Sequence, residues 1–200
     1  MLPENARLIH IRHGETAWNV EGRLQGQFDI PMNERGLSQA ARNGKALKAW
    51  LQAEGIALDT LHFVASPLNR SSTTMRIVRS ELGLDDVFET DDRLKEIEFG
   101  RWSGSTYKEL AAGGERGRVD QRKKDKWNFR PPGGETYADL AARVGEWLET
   151  LNGDTVAVTH GGILRVLHGH LVDTPWHLVP DLPAPQDKFL VFSGGRVTAV

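Results

Sequence analysis

The feature that most constrains this chain is an alternation of short apolar runs with long helical periods, in which the runs end in polar clusters. Leu8-Ile9-His10-Ile11 runs into Arg12-His13-Gly14, Leu61-His62-Phe63-Val64-Ala65 into Ser66-Pro67, and Thr155-Val156-Ala157-Val158 into Thr159-His160-Gly161-Gly162. Between them, Leu37, Ala40, Gly44, Leu47 and Leu51 recur at three and four residues, one helical face with Asn33 as N-cap and Gly55 as terminator. Further helices are expected from about Asn69 to Leu82, along Tyr137, Leu140, Val144, Leu148 and Leu151, and over Ile163 to Leu171. Short buried strands separated by helices pair in parallel, with helices on both faces of the sheet. The pattern therefore predicts an α/β fold, a three-layer α/β/α sandwich with a mostly parallel central sheet. A short strand near Val87-Phe88 and a terminal hairpin, Phe189–Phe192 and Val197–Val200 about Gly194-Gly195, complete it. The polar stretch from Gly14 to Pro31 and residues 113–134, a mixture of Gly, Pro and charge, read as irregular.

Two hundred residues without repeat, low-complexity tract or linker predict one domain, residues 1–200, with a cap-like excursion at about 105–134. Cysteine is absent, which removes disulfides, thiolate nucleophiles and Cys-ligated zinc. The formal charge of −2 argues against nucleic acid as partner. No apolar run is long enough to span a bilayer, and the N-terminal stretch lacks a signal-peptide pattern, so no membrane partner and a cytoplasmic location are expected. Residues 115–130 depart from this balance, with seven cations against three anions. That segment reads either as a solvated face or as a basic cap favouring substrates with a second anionic group. His168, His170 and His177 lack acidic or Cys partners nearby, so no metal is expected. His10 and His62 fall inside predicted strands and read as packing residues, while Trp18 and Trp127 are the tryptophans expected near a pocket rim.

Open α/β sheets bind ligands beyond the carboxyl ends of their strands, where this chain gathers Arg12, His13, Ser66–Arg70 and His160. Two arginine forks from separate strand ends suit one tetrahedral oxyanion. Gly14, Gly161 and Gly162 allow close approach of backbone N–H groups, and a helix start there adds partial positive charge. A neutral imidazole in such a pocket is a competent nucleophile toward phosphorus, and a second histidine is a hydrogen-bond donor to the transferring group. A leaving alkoxide needs a proton, which Glu96 or Glu98 could supply. Glu98 reads more readily as solvated or paired with an arginine, and Glu15 as a buried structural partner.

The string Arg12-His13-Gly14-Glu15-Thr16-Ala17-Trp18-Asn19 resembles the signature of the histidine phosphatase superfamily, branch 1, the phosphoglycerate mutase-like family. Agreement continues in family order through Gly22–Gly26, Asp29-Ile30-Pro31, Glu34-Arg35-Gly36, Gln39-Ala40 and Ser66–Arg70. It resumes across Leu94–Gly104, at Gly133–Thr136 and at Thr159-His160-Gly161, and so covers nearly the whole chain. The resemblance implies a phosphoglycerate mutase-like fold, with His13 as the histidine that becomes phosphorylated. Arg12, Arg70 and His160 would complete the phosphate pocket, with Glu96 as proton donor. Asn19, Gln25, Gly26 and the Gly161 backbone would lie near the phosphoryl group or substrate, and no cofactor or metal is implied.

The function so implied is metal-independent hydrolysis of a small phosphorylated metabolite through a phosphohistidine. The alternative is a phosphoglycerate mutase. Phe99 and Tyr107 disfavour it, since they stand where the dedicated mutases carry a substrate-reading tyrosine and lysine. A non-catalytic regulatory module is a weaker third reading, given the intact His13, Arg12, Arg70, Glu96 and His160.

Overall fold

The computed structural model describes residues 2–200. Strand β1 (Leu8–Arg12) lies at the centre of a six-stranded sheet, flanked by β4 (Thr155–Thr159) in parallel and β5 (Phe189–Ser193) antiparallel. Strand β2 (His62–Ala65) pairs in parallel with β4 and with β3 (Glu89–Thr90), and β6 (Arg196–Ala199) closes the other edge against β5. The strand order is β3-β2-β4-β1-β5-β6.

Because side chains alternate across a strand, β1 sends Ile9 and Ile11 to one face and Leu8 to the other. On the first face they join Val156, Val158, Phe63 and Ala65 against helices α2 (Glu34–Glu54) and α3 (Asn69–Leu82). On the second face Leu8, Ala157 and Phe192 pack against α6 (Tyr137–Leu148) and α7 (Gly161–Leu171). The three layers follow directly. Asn33 caps α2 by accepting from the Gly36 N–H at 2.8 Å, and Gly55 ends it in the left-handed region at φ 65°. Gly194 and Gly195, at φ 55° and 74°, make the tight β5–β6 turn, in which both central residues need positive φ.

Three stretches differ from the sequence reading. The polar stretch after Gly14 contains α1 (Ala17–Glu21), a single turn capped by a Thr16–Asn19 box and burying no residue, so it has no apolar period to betray it. Strand β3 forms at Glu89–Thr90, two residues beyond Val87-Phe88, where pairing with Val64 and Ala65 is available. The excursion is largely helical rather than irregular. α4 (Tyr107–Leu110) passes through a π-turn at Ala111–Glu115 into α5 (Arg116–Lys124), with Gly114 at φ 95° forming the kink. α5 buries only Val119 and Arg122, too few apolar positions to mark a helical face.

Candidate active site

A cavity of about 160 Å³ opens beyond the carboxyl ends of β1 and β4, lined by Arg12, His13, Arg70, Glu96, Tyr137 and Arg165. Asn19, Gln25, Gly26, Phe99 and Gly162 also face it.

His13 ends β1. Its Nδ1 lies 2.8 Å from the Gly14 carbonyl, which can only accept, so Nδ1 carries the proton and Nε2 holds the lone pair facing the cavity. Burial, followed by the charges of Arg12 and Arg70, holds this imidazole well below its usual titration range, in the neutral form. Gln186 donates to the His13 carbonyl at 2.9 Å and fixes the backbone there.

The two arginines are held by carbonyls instead of carboxylates, so their charge stays available. Arg70 is fully buried and donates to the carbonyls of Phe28 at 2.6 Å and Gly26 at 2.8 Å; Arg12 donates to Ala184 at 2.5 Å. The Nε–H of each is buried without a partner. Burial pulls the Arg12 guanidinium down to about 10, still protonated at neutral pH, and lowers Arg70 as well.

His160 is fully buried beneath this layer and does not itself line the cavity. Its ring lies 5.2 Å from that of His13. Ser66 Oγ sits 2.7 Å from its Nε2 and accepts from the Leu68 N–H at 3.4 Å, so the hydroxyl proton can go to His160. Nδ1 would then carry a hydrogen, and it has no partner. Burial, then Arg70 and His13, keeps this ring neutral too.

Glu96 is seated on the start of α7. Its carboxylate accepts from the Gly162 N–H at 3.0 and 3.2 Å and from Ile97 at 2.9 Å. Only a glycine fits at 162, because a Cβ there would lie 2.3 Å from Glu96 Oε1. The helix start therefore orients the carboxylate, and Gly162, not Gly161, supplies the amide at the cavity wall. Gly161 packs beside Arg12 and Ala184 instead. Gly14 owes its identity to packing, since a Cβ there would meet the Gly36 carbonyl at 2.2 Å.

Asn19 Oδ1 receives N–H groups from Thr16 and Gln186, both at 3.1 Å, and Gln25 Oε1 receives the Thr16 hydroxyl at 3.0 Å. Both amide NH₂ ends are thereby left to face the cavity.

The remaining expectations resolve individually. Glu98 accepts from Gly100 N–H and Ser103 Oγ, bracing a turn without an arginine partner and outside the cavity wall. Glu15 ties Asn33 and Arg35 to the first loop, a structural role. His10 is buried and hydrogen-bonded to Thr159 Oγ1 at 2.6 Å, but His62, at the start of β2, is half-exposed with Nε2 3.0 Å from Glu89 Oε2. Phe99 lines the cavity, whereas Tyr107 turns away and accepts from Arg122 Nε at 2.7 Å. Trp18 packs on Phe28, and Trp127 stacks behind Tyr137; neither lines the cavity. Among the described residues no group of His, Cys, Asp or Glu is placed to hold a metal ion. The reading of the residues missed Arg165, Tyr137 and Gln186. Arg165 and Tyr137 begin as ordinary helix residues, and only the convergence of α6 and α7 brings them to the cavity.

The sequence model of the histidine phosphatase superfamily (branch 1) matches residues 8–193, and the chain belongs to that family. It is 31% identical over 182 residues to the glucosyl-3-phosphoglycerate phosphatase of Mycobacterium tuberculosis, covering 84% of this chain and 76% of that protein. It is 33% identical over 170 residues to the 2,3-bisphosphoglycerate-dependent phosphoglycerate mutase of Azorhizobium caulinodans, covering 80% and 78%. The structure of mycobacterial glucosyl-3-phosphoglycerate phosphatase complexed with VO3 superposes with a TM-score of 0.77 at 29% identity, covering 98% of this chain and 97% of that one. Both phosphatases and mutases thus stand among its relatives.

Proposed function

We propose that the protein is a metal-independent phosphatase of small phosphomonoesters working through a phosphohistidine. One observation carries the reading: the Nε2 lone pair of His13 faces the cavity between two guanidiniums that have no carboxylate partner. In the proposed reaction His13 Nε2 attacks phosphorus in line, and the bond to the ester oxygen breaks as Glu96 delivers a proton to that oxygen. Arg12, Arg70 and the free amides of Asn19 and Gln25 stabilise the phosphoryl oxygens, with His160 supporting the His13 ring from beneath at 5.2 Å. Water then attacks the phosphohistidine, Glu96 takes its proton, and the P–N bond breaks to release phosphate. The VO3 complex of a similar phosphatase supports an oxyanion site of this kind.

The test is phosphate release from a panel of phosphomonoesters in EDTA, with wild type and His13→Ala. Activity that survives the chelator and falls by roughly 10⁴-fold or more in the variant is the expected result, on the scale of removing a catalytic nucleophile. The reading fails if metal is required or if His13→Ala retains turnover. Isomerisation of 3-phosphoglycerate without net phosphate release would place the chain with the mutases instead.

A further inference from the structure

Glu96 stands on a stretch that belongs to no helix or strand. It lies between a 3₁₀ turn at Asp92–Leu94 and another at Gly100–Trp102, so its backbone groups need partners from elsewhere. One side chain supplies several of them. Arg143, midway along α6, donates through Nη1 to the carbonyls of Arg93 at 2.5 Å and Lys95 at 2.7 Å, and through Nη2 to that of Glu96 at 3.2 Å. Its Nε and Nη2 also clasp the Glu135 carboxylate, both at 2.9 Å. All three nitrogens of the fork are thereby engaged on the main chain around Glu96 and on one carboxylate.

Glu135 holds the same stretch further along. Its carboxylate accepts from the Glu98 N–H at 2.9 Å, and its own N–H donates to the Glu98 carbonyl at 2.8 Å. The two backbones touch because glycines keep them bare. A Cβ on Gly134 would lie 2.4 Å from the Glu98 carbonyl oxygen, and one on Gly100 2.3 Å from that of Pro132. Thr136 then caps α6, the helix that carries Arg143, by accepting from the Asp139 N–H at 3.0 Å. This gives Gly133–Thr136, none of which lines the cavity, a task in the site.

Neither Arg143 nor Glu135 lines the cavity, and their paired side chains are mostly buried. A guanidinium that commits its fork to backbone carbonyls fixes a position and leaves nothing for a ligand. The position fixed is that of the Glu96 main chain. Its carboxylate is oriented separately, by the N–H groups of Gly162 and Ile97. A proton donor must come within hydrogen-bond reach of the leaving oxygen, so both ends of this residue have to be held.

We infer that Arg143, braced by Glu135, is a positioning residue that acts on the reaction through Glu96. This rests on the phosphatase reading and adds to it a residue that the substrate does not touch.

The test is a double-mutant cycle read on two esters. The leaving oxygen of glycerol 3-phosphate needs a proton, and that of 4-nitrophenyl phosphate needs little help. Arg143→Met should lower kcat for the alkyl ester by roughly 30–100-fold, the scale of a misplacement of about 1 Å, and for the aryl ester by less than about fivefold. In a Glu96→Gln background the same substitution should cost the alkyl ester no more than about threefold further, because the group being positioned is already gone. Arg143→Lys keeps the charge without the fork, should fall between wild type and Arg143→Met, and carries the same cycle if the Met variant does not fold. A purely structural Arg143 would slow both esters alike and multiply with Glu96→Gln, and either result overturns the inference. Amide hydrogen exchange needs no turnover. In the Arg143 variant it should quicken over residues 94–99 and stay as in wild type in β1 and β4. Exchange unchanged at 94–99, or raised throughout the chain, overturns the inference. Should wild type hydrolyse neither ester, the phosphatase reading fails, and exchange alone decides whether Arg143 holds Glu96 in place.

Discussion

The floor of the cavity and the cap-like excursion, which reaches the cavity lining through Arg122 over Phe99, are built on opposite principles. The floor sits where β1 and β4 end, and His13, Arg70, Ser66 and His160 there are almost wholly excluded from solvent. Each is held by short-range geometry: a carbonyl on His13, two carbonyls on Arg70, two serine hydroxyls on His160. The cap, α4 through α5, is mostly polar, is kinked at Gly114, and buries only Leu110, Val119 and Arg122. It is held by Leu110 and Val119 in the core, by the Arg23–Glu109 pair, and by Arg122, which lies 5.5 Å from the Phe99 ring and donates to Tyr107 within the excursion. Lys126 adds an ion pair to Asp181. Residues fixed by the strand ends hold positions that chemistry needs within fractions of an ångström. The cap can vary without disturbing them. Most of the basic charge of residues 115–130 is solvated or locally paired, as in Arg118–Glu115 and Lys123–Asp120, so the segment is mainly a polar face. The further cation facing the cavity comes from α7 instead.

If this division holds, disturbing the floor should slow every substrate, and disturbing the cap should change stability and substrate ranking. After His13→Ala, the largest effect is expected for Gly162→Ala, whose Cβ would displace the Glu96 carboxylate. Turnover of alkyl phosphates should fall roughly 10²–10³-fold, as for loss of one oriented catalytic group. Aryl esters with good leaving groups should suffer less, and thermal stability should hardly move. Equal loss for both ester types would argue that Glu96 is not the proton donor.

Acid should break the floor next. His10 is lowered to about 3 by burial, then by His168 and Arg12, and His13 and His160 are lowered as well. Their folded values lie below the unfolded value near 6.5, so the unfolded chain binds more protons. Their neutral burial therefore costs no stability above about pH 6.5 and an increasing amount as pH falls toward the folded values. Each histidine should contribute about 1 kcal/mol of lost stability per pH unit in that window. Urea denaturation from pH 7.5 to 5 checks this. A flat profile would contradict the neutral, dehydrated floor.

The smallest effect belongs to the cap. Arg122→Met keeps the stem and removes the guanidinium over Phe99 and the bond to Tyr107. Stability should drop by about 1–2 kcal/mol. The ranking of substrates should shift, and the response of the enzyme to His13→Ala should not change. A uniform fall in all rates would mean that cap and floor are mechanically one unit.

Legibility in the sequence follows the same division. The strands and the α2, α3, α6 and α7 helices announce themselves because one face of each is apolar at a fixed period, and the polar clusters at the ends of β1, β2 and β4 follow from that register. The left-handed stops at Gly55 and Gly194-Gly195 were equally readable. By contrast α1 and α5 carry almost no buried apolar face, so no period marks them. Arg165 and Tyr137 could not be found by spacing, because their meeting depends on how α6 packs on α7. The glycines were legible as necessary but not for the right reason. Gly14 and Gly162 make room for the Gly36 carbonyl and for Glu96, close approaches that only tertiary structure reveals. His62 lies in a strand as expected, yet its ring is half-exposed and meets Glu89 instead of packing in the core.

The most direct test is the mass of the intact chain, acid-quenched within the first turnovers on a phosphomonoester and mapped by peptide analysis. The account predicts a transient gain of one phosphoryl group located on His13, absent in His13→Ala and longer-lived when Glu96 is replaced by Gln. Turnover that proceeds with no phosphorylated peptide, or with the phosphoryl group on another residue, would contradict it.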